Sequence, residues 1–280
     1  MHARSNKMKN LTRGVRALGA ASIMAVAGLT GATVIAPVAT ASVLAQDLTT
    51  ADEVIDRSIE KSWGEWAKDR PETTRKMTGT MEIPAAGITA SIQVTFKSPD
   101  KLYMMITIPN FGDQTRGSDG DVFWETSTMQ GPRVIEGVER DQLAREADFY
   151  SELDYKETYP TREFGGTKDL DGEQVYVVTL TPEGEDATPQ TRYYSIESGL
   201  LVRMDAVQSS QMGEMQVVTR MRDYREVDGL KVPFETEIEI AAMGMKQIVK
   251  FDSVEHGVEV DDSIFAPPAE VKEIMGDGEG

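Results

Sequence analysis

The strongest constraint on the fold is an alternation of apolar and polar residues that recurs along most of the chain. Between residues 87 and 97 the even positions are apolar and the odd positions are polar, and residues 230–240 repeat the pattern. Such a period of two gives a strand one dry face and one wet face, which is typical of antiparallel rather than buried parallel sheet. The apolar members are Ile88, Ala90, Ile92, Val94 and Phe96, then Leu230, Val232, Phe234, Ile238 and Ile240.

About eleven segments fit the strand pattern, and short turn signals such as Asp-Gly and Ser-Gly separate them. Besides the two above, they are residues 76–83, 101–108, 122–127, 162–168, 174–181, 191–196, 200–208, 214–227 and 245–254. Helical spacing occurs at residues 52–68, after a capping-box pattern that begins at Thr50, and at residues 139–150. We therefore predict a mainly β (α+β) fold, with about eleven antiparallel strands in an incompletely closed barrel and one or two covering helices.

The first 45 residues have the organisation of a secretory signal peptide. Basic residues precede an apolar stretch rich in Ala and Gly, which breaks at Pro37 before small-residue cleavage patterns that end at Ala41 and Ala45. An uncleaved membrane anchor would need about twenty strongly apolar residues. We therefore predict a periplasmic or secreted protein, with a single domain over residues 46–275 and a disordered tail at residues 276–280.

Removal of the signal peptide makes the acidic balance stronger. The chain has 29 basic and 47 acidic residues, for a net charge of −18, and residues 1–45 hold five of the basic residues and none of the acidic ones. The exported form then carries a net charge of about −23. Nucleic acids and anionic lipid headgroups both favour Lys and Arg. We expect no nucleic-acid binding and only transient membrane contact.

Few residues of this chain offer catalytic chemistry. It has no cysteine and two histidines, of which His2 belongs to the signal peptide. This excludes disulfides, thiol nucleophiles and zinc sites that need thiolates or several imidazoles. His256 stands beside a glycine after a strand and is interpreted as a surface histidine. Gly-x-Ser-x-Gly, Walker and dinucleotide patterns are absent. We predict a non-enzyme without catalytic residues, metal or cofactor; a hydrolase based on a carboxylate pair is a third hypothesis.

Methionine is frequent, with 15 residues, and many lie in the predicted strands, such as Met104 and Met204. Methionine fills irregular cores, but it also lines pockets that accept variable apolar ligands. Few helices are available to fill the inside of an eleven-stranded sheet. The pattern therefore favours an apolar cavity, because wide barrels can enclose a ligand space.

The order of the elements and several short motifs resemble the LolA/LolB-like periplasmic lipoprotein-carrier superfamily and its outer-membrane lipoprotein-sorting relatives. The resemblance covers nearly the whole mature chain. Each motif alone is a weak hairpin or helix signal, and their order and spacing carry the resemblance. The motifs are TADEVI at residues 50–55, SPDKLY at 98–103, SDGDVFW at 118–124, GPRVIEG at 131–137, YYSIESGLLVR at 193–203, DYREVDGLKVP at 223–233 and IFAPP at 264–268.

The resemblance implies an unclosed antiparallel barrel covered by helices, whose apolar cavity shields acyl chains without catalysis. The dedicated carrier of this superfamily is understood to use a buried arginine that holds its lid helices shut; Arg75 and Arg116 are the candidates here. This chain is more similar to a broad branch whose cargo is unknown, so the fold transfers better than the lipoprotein-specific role.

Our first hypothesis is an exported soluble carrier or sensor for lipid or the acyl chains of lipoproteins. Its cavity-facing residues are expected on the alternating apolar face of the helix and strands, with the register of each strand left open. They are Trp63, Trp66, Ile92, Val94, Phe96, Leu102, Met104, Ile106, Val202, Met204, Phe234 and Ile238. The alternative is a cell-envelope interaction module, whose barrel is filled by its own side chains and whose acidic outer face binds a protein partner.

Overall fold

A computed structural model describes residues 48–184, 187–210 and 213–276. The expected signal peptide and residues 277–280 of the expected tail lie outside this part of the chain. The described residues form thirteen strands in one sheet. They are β1 Thr74–Ile83, β2 Ile88–Lys97, β3 Lys101–Ile108, β4 Gly112–Ser118, β5 Phe123–Ser127, β6 Arg133–Val134, β7 Thr161–Leu170, β8 Glu173–Thr181, β9 Gln190–Ser195, β10 Leu201–Ser210, β11 Gly213–Val227, β12 Leu230–Ile240 and β13 Met245–His256.

The sheet consists of two antiparallel meanders joined side by side. Its strand order is β6-β5-β4-β3-β2-β1-β13-β12-β11-β10-β9-β8-β7. The first and last strands, β1 and β13, pair with each other across the middle, where Met77 is opposite Val254. The two edges are β6 and β7, so the sheet is not closed. The prediction of a mainly β, antiparallel and incompletely closed architecture is confirmed.

Five α-helices accompany the sheet in the described residues: α1 Ala51–Trp63, α2 Trp66–Asp69, α3 Gly137–Ala147, α4 Tyr155–Thr158 and α5 Ala269–Gly276. The capping box predicted at the start of α1 is present. The Thr50 hydroxyl accepts from the backbone N–H of Glu53 at 3.2 Å, and the Glu53 carboxylate accepts from the backbone N–H of Thr50 at 3.0 Å. Both bonds satisfy N–H groups that a helix start leaves without partners.

The contacts of α3 show that the sheet curls. This helix of 11 residues packs against both β5 and β10, which are eight positions apart in the strand order. In a flat sheet these strands would be about 38 Å apart, whereas such a helix is about 16 Å long. The sheet must therefore wrap around the helices, and α1, which contacts β7, β8 and β12, lies on the same inner side.

Three predictions of secondary structure need correction. The sheet has thirteen strands rather than eleven, because β4 and the short β6 had no apolar alternation to reveal them. The helix predicted at residues 52–68 is interrupted after Trp63, where Gly64 adopts a positive φ of 51° and separates α1 from α2. The tail predicted at residues 276–280 begins one residue too early, since Gly276 is the last residue of α5.

Candidate functional site

The space between the helices and the inner face of the sheet is occupied by two clusters of buried apolar side chains. The larger cluster joins Trp63 and α3 to β1, β2, β3, β12 and β13. The smaller one joins the first half of α1 to β8, β10 and β11, with Val54, Tyr176 and Met204 among its members. The interior is therefore apolar along most of its length and is the candidate functional site.

Eleven of the twelve residues predicted to face a cavity belong to these clusters or pack against them. Trp66 is partly buried and packs against the larger cluster, and Met204 is buried in the smaller one. The remaining nine are buried in the larger cluster: Trp63, Ile92, Val94, Phe96, Leu102, Met104, Ile106, Phe234 and Ile238. The alternation thus identified the inward face of the strands, while ligand binding by these residues stays a prediction.

Val202 is the exception. The pairing of β10 with β9 shifts register between Leu201 and Arg203. Such an irregularity adds a residue to one strand and interrupts the alternation. Leu201 and Met204 are buried as a result, whereas Val202 is half-buried and belongs to neither cluster.

Buried methionines contribute much of the lining. The larger cluster holds five of them and the smaller one two. Their unbranched thioether side chains can adopt several shapes at low cost, which suits an interior that repacks around a guest. They are Met77, Met81, Met104, Met215 and Met245 in the larger cluster, and Met204 and Met221 in the smaller one.

A pocket between α3 and β10 leads to the smaller cluster. It opens to solvent, and the space of about 440 Å³ includes this open mouth; Met204 and Tyr159 contribute to its wall. Gln142 and Arg145 of α3 line its polar side, and Gln142 is bonded to β10 through the carbonyl of Val207 at 3.1 Å. An apolar wall with a few polar groups beside it is the usual lining of small-molecule sites.

Two buried polar groups near this pocket were not identified from the sequence. Arg192 on β9 is buried, and its guanidinium lies 3.3 Å from the Tyr159 hydroxyl and 3.9 Å from the Glu152 carboxylate. The Gln208 side-chain carbonyl is buried at the pocket without a hydrogen-bond partner among the described residues. The one available signal was the alternation along each strand. Arg192 lies an even number of residues from buried Tyr194 on β9, and Gln208 an even number from buried Met204 on β10, so each pair shares one face of its strand.

A second group of polar contacts lies at the other end of the interior, beneath α2. Arg75 Nε donates to Nε2 of His256 at 3.0 Å, and the opposite ring nitrogen, Nδ1, lies 3.2 Å from Asp228 Oδ2. The interpretation of His256 as a surface residue was wrong, because its side chain is 3% exposed. Burial, followed by the Arg75 charge, lowers the pKa of His256 to about 4. The imidazole is therefore neutral at pH 7, with its proton on Nδ1.

Arg75 itself is a buried cation in aromatic surroundings. Its guanidinium lies 4.8 Å from the ring centre of Phe149 and 5.8 Å from that of Trp63. Among the described residues, no carboxylate forms an ion pair with it. Burial lowers its pKa to about 10, so it stays charged at pH 7. Arg75 thus connects β1 to α1 and to the segment after α3.

Arg116, the other arginine candidate, belongs to a cluster of four charges. It donates to Glu125 on β5 at 2.9 Å, and Arg133 bridges Glu125 and Glu139 at 2.9 and 2.6 Å. Burial alone would raise the pKa of Glu125, but the Arg116 and Arg133 charges outweigh it and hold that pKa below its usual value. Because Glu139 lies in the first turn of α3, the ion pairs of this cluster connect the helix to the sheet.

Two further observations concern the part of the chain that the structure describes. Within it, no group of three or more His, Asp or Glu side chains is arranged to hold a metal ion. None of its helices is long and apolar enough to cross a membrane.

Comparison with known proteins adds a family. A model of a protein family described as an uncharacterized protein matches residues 128–269, just over half of the 280 residues. The chain belongs to this family. The matched region holds α3, the strands from β6 to β13 and the pocket. No curated protein matches the sequence.

Solved structures show what the fold of this family member resembles. A LolA superfamily protein from Nitrosomonas europaea aligns with a TM-score of 0.54 and 15% identity, over 79% of this chain and 99% of that one. A DUF1329 family protein from Desulfovibrio piger gives 0.54 and 14% identity, over 80% and 100%. A domain described as an outer membrane lipoprotein-sorting protein, from Vibrio parahaemolyticus, gives 0.54 and 11% identity, over 80% and 99%. The predicted resemblance to the LolA-like superfamily is confirmed at the level of the fold.

Proposed function

We propose that this protein is an exported, non-catalytic carrier or sensor that binds lipid or the acyl chains of lipoproteins in its interior. The observation that carries the proposal is the continuity between the pocket and the apolar interior. Met204 belongs both to the wall of the pocket and to the smaller cluster beneath α1. An apolar chain that enters between α3 and β10 would therefore meet buried apolar side chains.

The energetics favour an acyl chain over a polar ligand. Each methylene that leaves water contributes about 0.8 kcal/mol, so a chain of some fourteen methylenes gains on the order of 11 kcal/mol before entropic costs. Seven buried methionines offer a lining that can adapt to such a chain. We propose that Arg145, which lines the pocket together with Glu146, contacts a carboxylate or phosphate at the end of the chain.

The similarity of fold supports the same role. The Vibrio parahaemolyticus domain is described as a lipoprotein-sorting protein, and it shares the sheet and helix arrangement over 80% of this chain. The expected signal peptide at residues 1–45 would place the protein in the periplasm or outside the cell. A soluble carrier there needs neither a metal nor a cofactor.

The first experiment tests binding directly. The protein is purified without detergent, its bound lipid is extracted and identified by mass spectrometry, and the delipidated protein is titrated with a fluorescent fatty acid. We expect co-purified lipid and saturable binding. Neither lipid nor fatty-acid binding would be found if the barrel is an interaction module filled by its own side chains, and that result would reject the proposal.

A pair of variants locates the site. Met204→Trp places an indole at the wall of the pocket and is expected to weaken fatty-acid binding about tenfold, since it takes up volume that the ligand needs. Thr167→Trp is the matched control, because Thr167 is exposed on edge strand β7 and does not line the pocket. Equal binding by the two variants would place the ligand elsewhere.

A further inference from the structure

The two ends of the sheet differ in the chemistry of their loops. At one end lie the turns between β2 and β3, β4 and β5, β7 and β8, β9 and β10, and β11 and β12. Each of these five turns carries at least one acidic residue. The acidic residues are Asp100, Asp119, Asp121, Asp171, Glu197 and Asp228. This end of the sheet is strongly negative.

The loops at the opposite end, from β6 to β12, have no charged residue among the described positions. Register places the β1–β2, β3–β4 and β12–β13 connections there, together with the loop that follows β5. Their sequences are PAAG at residues 84–87, PNF at 109–111, TMQGP at 128–132 and AAMG at 241–244. Acidic residues return at this end on the far flank, where the sequence has Glu183, Glu185 and Asp186 after β8 and Glu214 near the start of β11. We call the four loops the uncharged tips.

Two of the uncharged tips have the same backbone conformation. In each, a short 3-10 turn ends at a glycine with positive φ, 63° for Gly87 and 59° for Gly244. The glycine N–H donates to the carbonyl three residues earlier, of Pro84 and Ala241 respectively, at 3.1 Å in both. Because this N–H is satisfied inside the tip, moving the tip out of water leaves fewer unpaired backbone groups.

The tips expose apolar side chains in a protein of net charge −18. Met129 is 37% exposed and Met243 is 38% exposed, and Pro84, Ala85, Ala241 and Ala242 are also exposed. Charges just below the tips are engaged within the sheet: Lys246 pairs with Glu237 at 2.7 Å, and Asp113 accepts from Thr107 at 2.7 Å. The tips span strands β5 to β12, about 29 Å along the sheet.

We propose that the uncharged tips are a membrane-docking surface, which rests reversibly on the neutral interface of a lipid bilayer. A basic protein partner would choose the acidic end, and a second copy of so acidic a chain would be repelled. A bilayer interface rewards apolar side chains without requiring charge. An anionic membrane repels the acidic loops at the other end of the sheet. This repulsion orients the protein with its uncharged tips toward the lipid. This inference rests on the tips and not on ligand binding inside the barrel.

The cysteine-free sequence allows a direct test in the full mature chain. An environment-sensitive fluorophore is attached at Ala242→Cys, at Ala85→Cys, or at Thr167→Cys on β7 as the control. Phosphatidylcholine vesicles are then added. We expect a blue shift and an intensity gain for the two tip labels and no change for the control. If the protein docks through another surface, the emission of the control label would shift, or the emission of no label would shift. Either result overturns the proposal.

A charge placed at a tip should weaken docking. Met243→Asp is expected to lower vesicle association in flotation assays by about tenfold, since one methionine no longer leaves water and a carboxylate must. Thr167→Asp adds the same charge at an exposed position away from the tips and should leave association unchanged. Equal flotation of the two variants would overturn the assignment.

The dependence on salt provides a second criterion. With phosphatidylglycerol added to the vesicles, association should weaken as salt is lowered from about 150 mM to 10 mM, because repulsion of the acidic turns then reaches about 30 Å. Docking through basic side chains would show the opposite dependence and reject the proposal. Fatty-acid binding without vesicles should be the same for Met243→Asp and the unsubstituted protein, so failure of docking and failure of interior binding can be told apart.

Discussion

Arg75 donates from Nε to Nε2 of His256 at 3.0 Å, across 181 residues of sequence. The geometry fixes the roles of both nitrogens of the imidazole. Nε2 accepts from a cation, so the ring proton is on Nδ1, which faces Asp228 at 3.2 Å. Since an imidazolium at this position would place two positive charges in contact in a buried site, protonation of His256 is opposed by the fold.

The first prediction concerns stability at acidic pH. The pKa of His256 is about 4 in the folded protein, against 6.5 for an unperturbed histidine. As pH falls from about 6.5 to about 4, the unfolded chain binds a proton that the folded protein does not bind. The free energy of unfolding should therefore decrease over this window, by at most about 3 kcal/mol from this residue. Urea denaturation at a series of pH values measures it.

The control for this prediction is His256→Gln, whose amide can accept from Arg75 and donate to Asp228. The many carboxylates titrate in both proteins, so the difference between the two curves isolates the histidine. As pH falls below 6.5, the unsubstituted protein should lose stability relative to His256→Gln. Parallel curves between pH 7 and pH 4 would mean that His256 titrates normally in the fold.

The second prediction concerns the cause of the lowered pKa. Burial is its largest cause and the Arg75 charge is the next. Arg75→Leu removes the charge and the donated hydrogen bond but leaves a side chain between Phe149 and Trp63. The pKa of His256 should rise above 4 and stay below its ordinary value, because the ring remains buried. Titration of the imidazole ring protons by NMR follows this directly.

Assignment of that NMR signal is simple, because the sequence has only two histidines and His2 lies in the expected signal peptide. His256→Gln identifies the signal of the buried ring. An unchanged pKa in Arg75→Leu would show that burial alone accounts for the shift, and that the arginine contributes nothing to it.

Particular residues show what the sequence could reveal. The inward faces of β2 and β3 followed from alternation alone, because a strand with one buried face must alternate. Strand β4 was missed, since its sequence GDQTRGS contains no apolar residue. Its burial comes from a neighbouring strand: Trp124 lies over Gly117, where an added Cβ would be 2.4 Å from the ring. Because the indole that covers β4 belongs to another strand, the sequence of β4 itself shows no alternation of apolar and polar residues.

The polar groups of the interior were hidden for a related reason. The contact between Arg75 and His256, and the approach of Arg192 to Tyr159, join residues far apart in sequence. Periodicity reports which side of a strand is buried, but not which residue of another strand faces it. The pocket at Met204 depends on how α3 crosses β10, and helix-packing geometry of this kind has no short-range signal.

The third prediction concerns the charge cluster that fastens α3. Glu125 is 2% exposed and accepts from both Arg116 and Arg133. Glu125→Gln leaves the buried Arg116 and the half-buried Arg133 with Glu139 as their remaining carboxylate, and removal of one partner of a buried ion pair costs about 3 kcal/mol. The free energy of unfolding should fall by roughly that amount at pH 7. Chemical denaturation measures the loss.

The pH dependence of that loss has a definite sign. Because the pKa of Glu125 is held below its usual value, its stabilising contribution is present above about pH 4.5 and declines as pH falls. The difference in stability between Glu125→Gln and the unsubstituted protein should therefore shrink in acid. Asp223→Asn is a suitable control, because it removes a carboxylate from an exposed ion pair with Arg225 and should cost less than about 1 kcal/mol. Equal costs for the two variants would mean that the cluster contributes no more than a surface pair.

The last prediction separates a packed interior from one that admits a guest, by comparing two buried methionines. Met104 is surrounded by the larger cluster and does not line the pocket, whereas Met204 lines it. Met104→Trp should overpack the interior and lower the free energy of unfolding by about 1–3 kcal/mol. Met204→Trp should cost less, because its indole can extend into a pocket that opens to solvent. Thermal and chemical denaturation of both proteins, freed of lipid, measure the two costs; equal costs would show that the wall at Met204 is as rigid as the core at Met104.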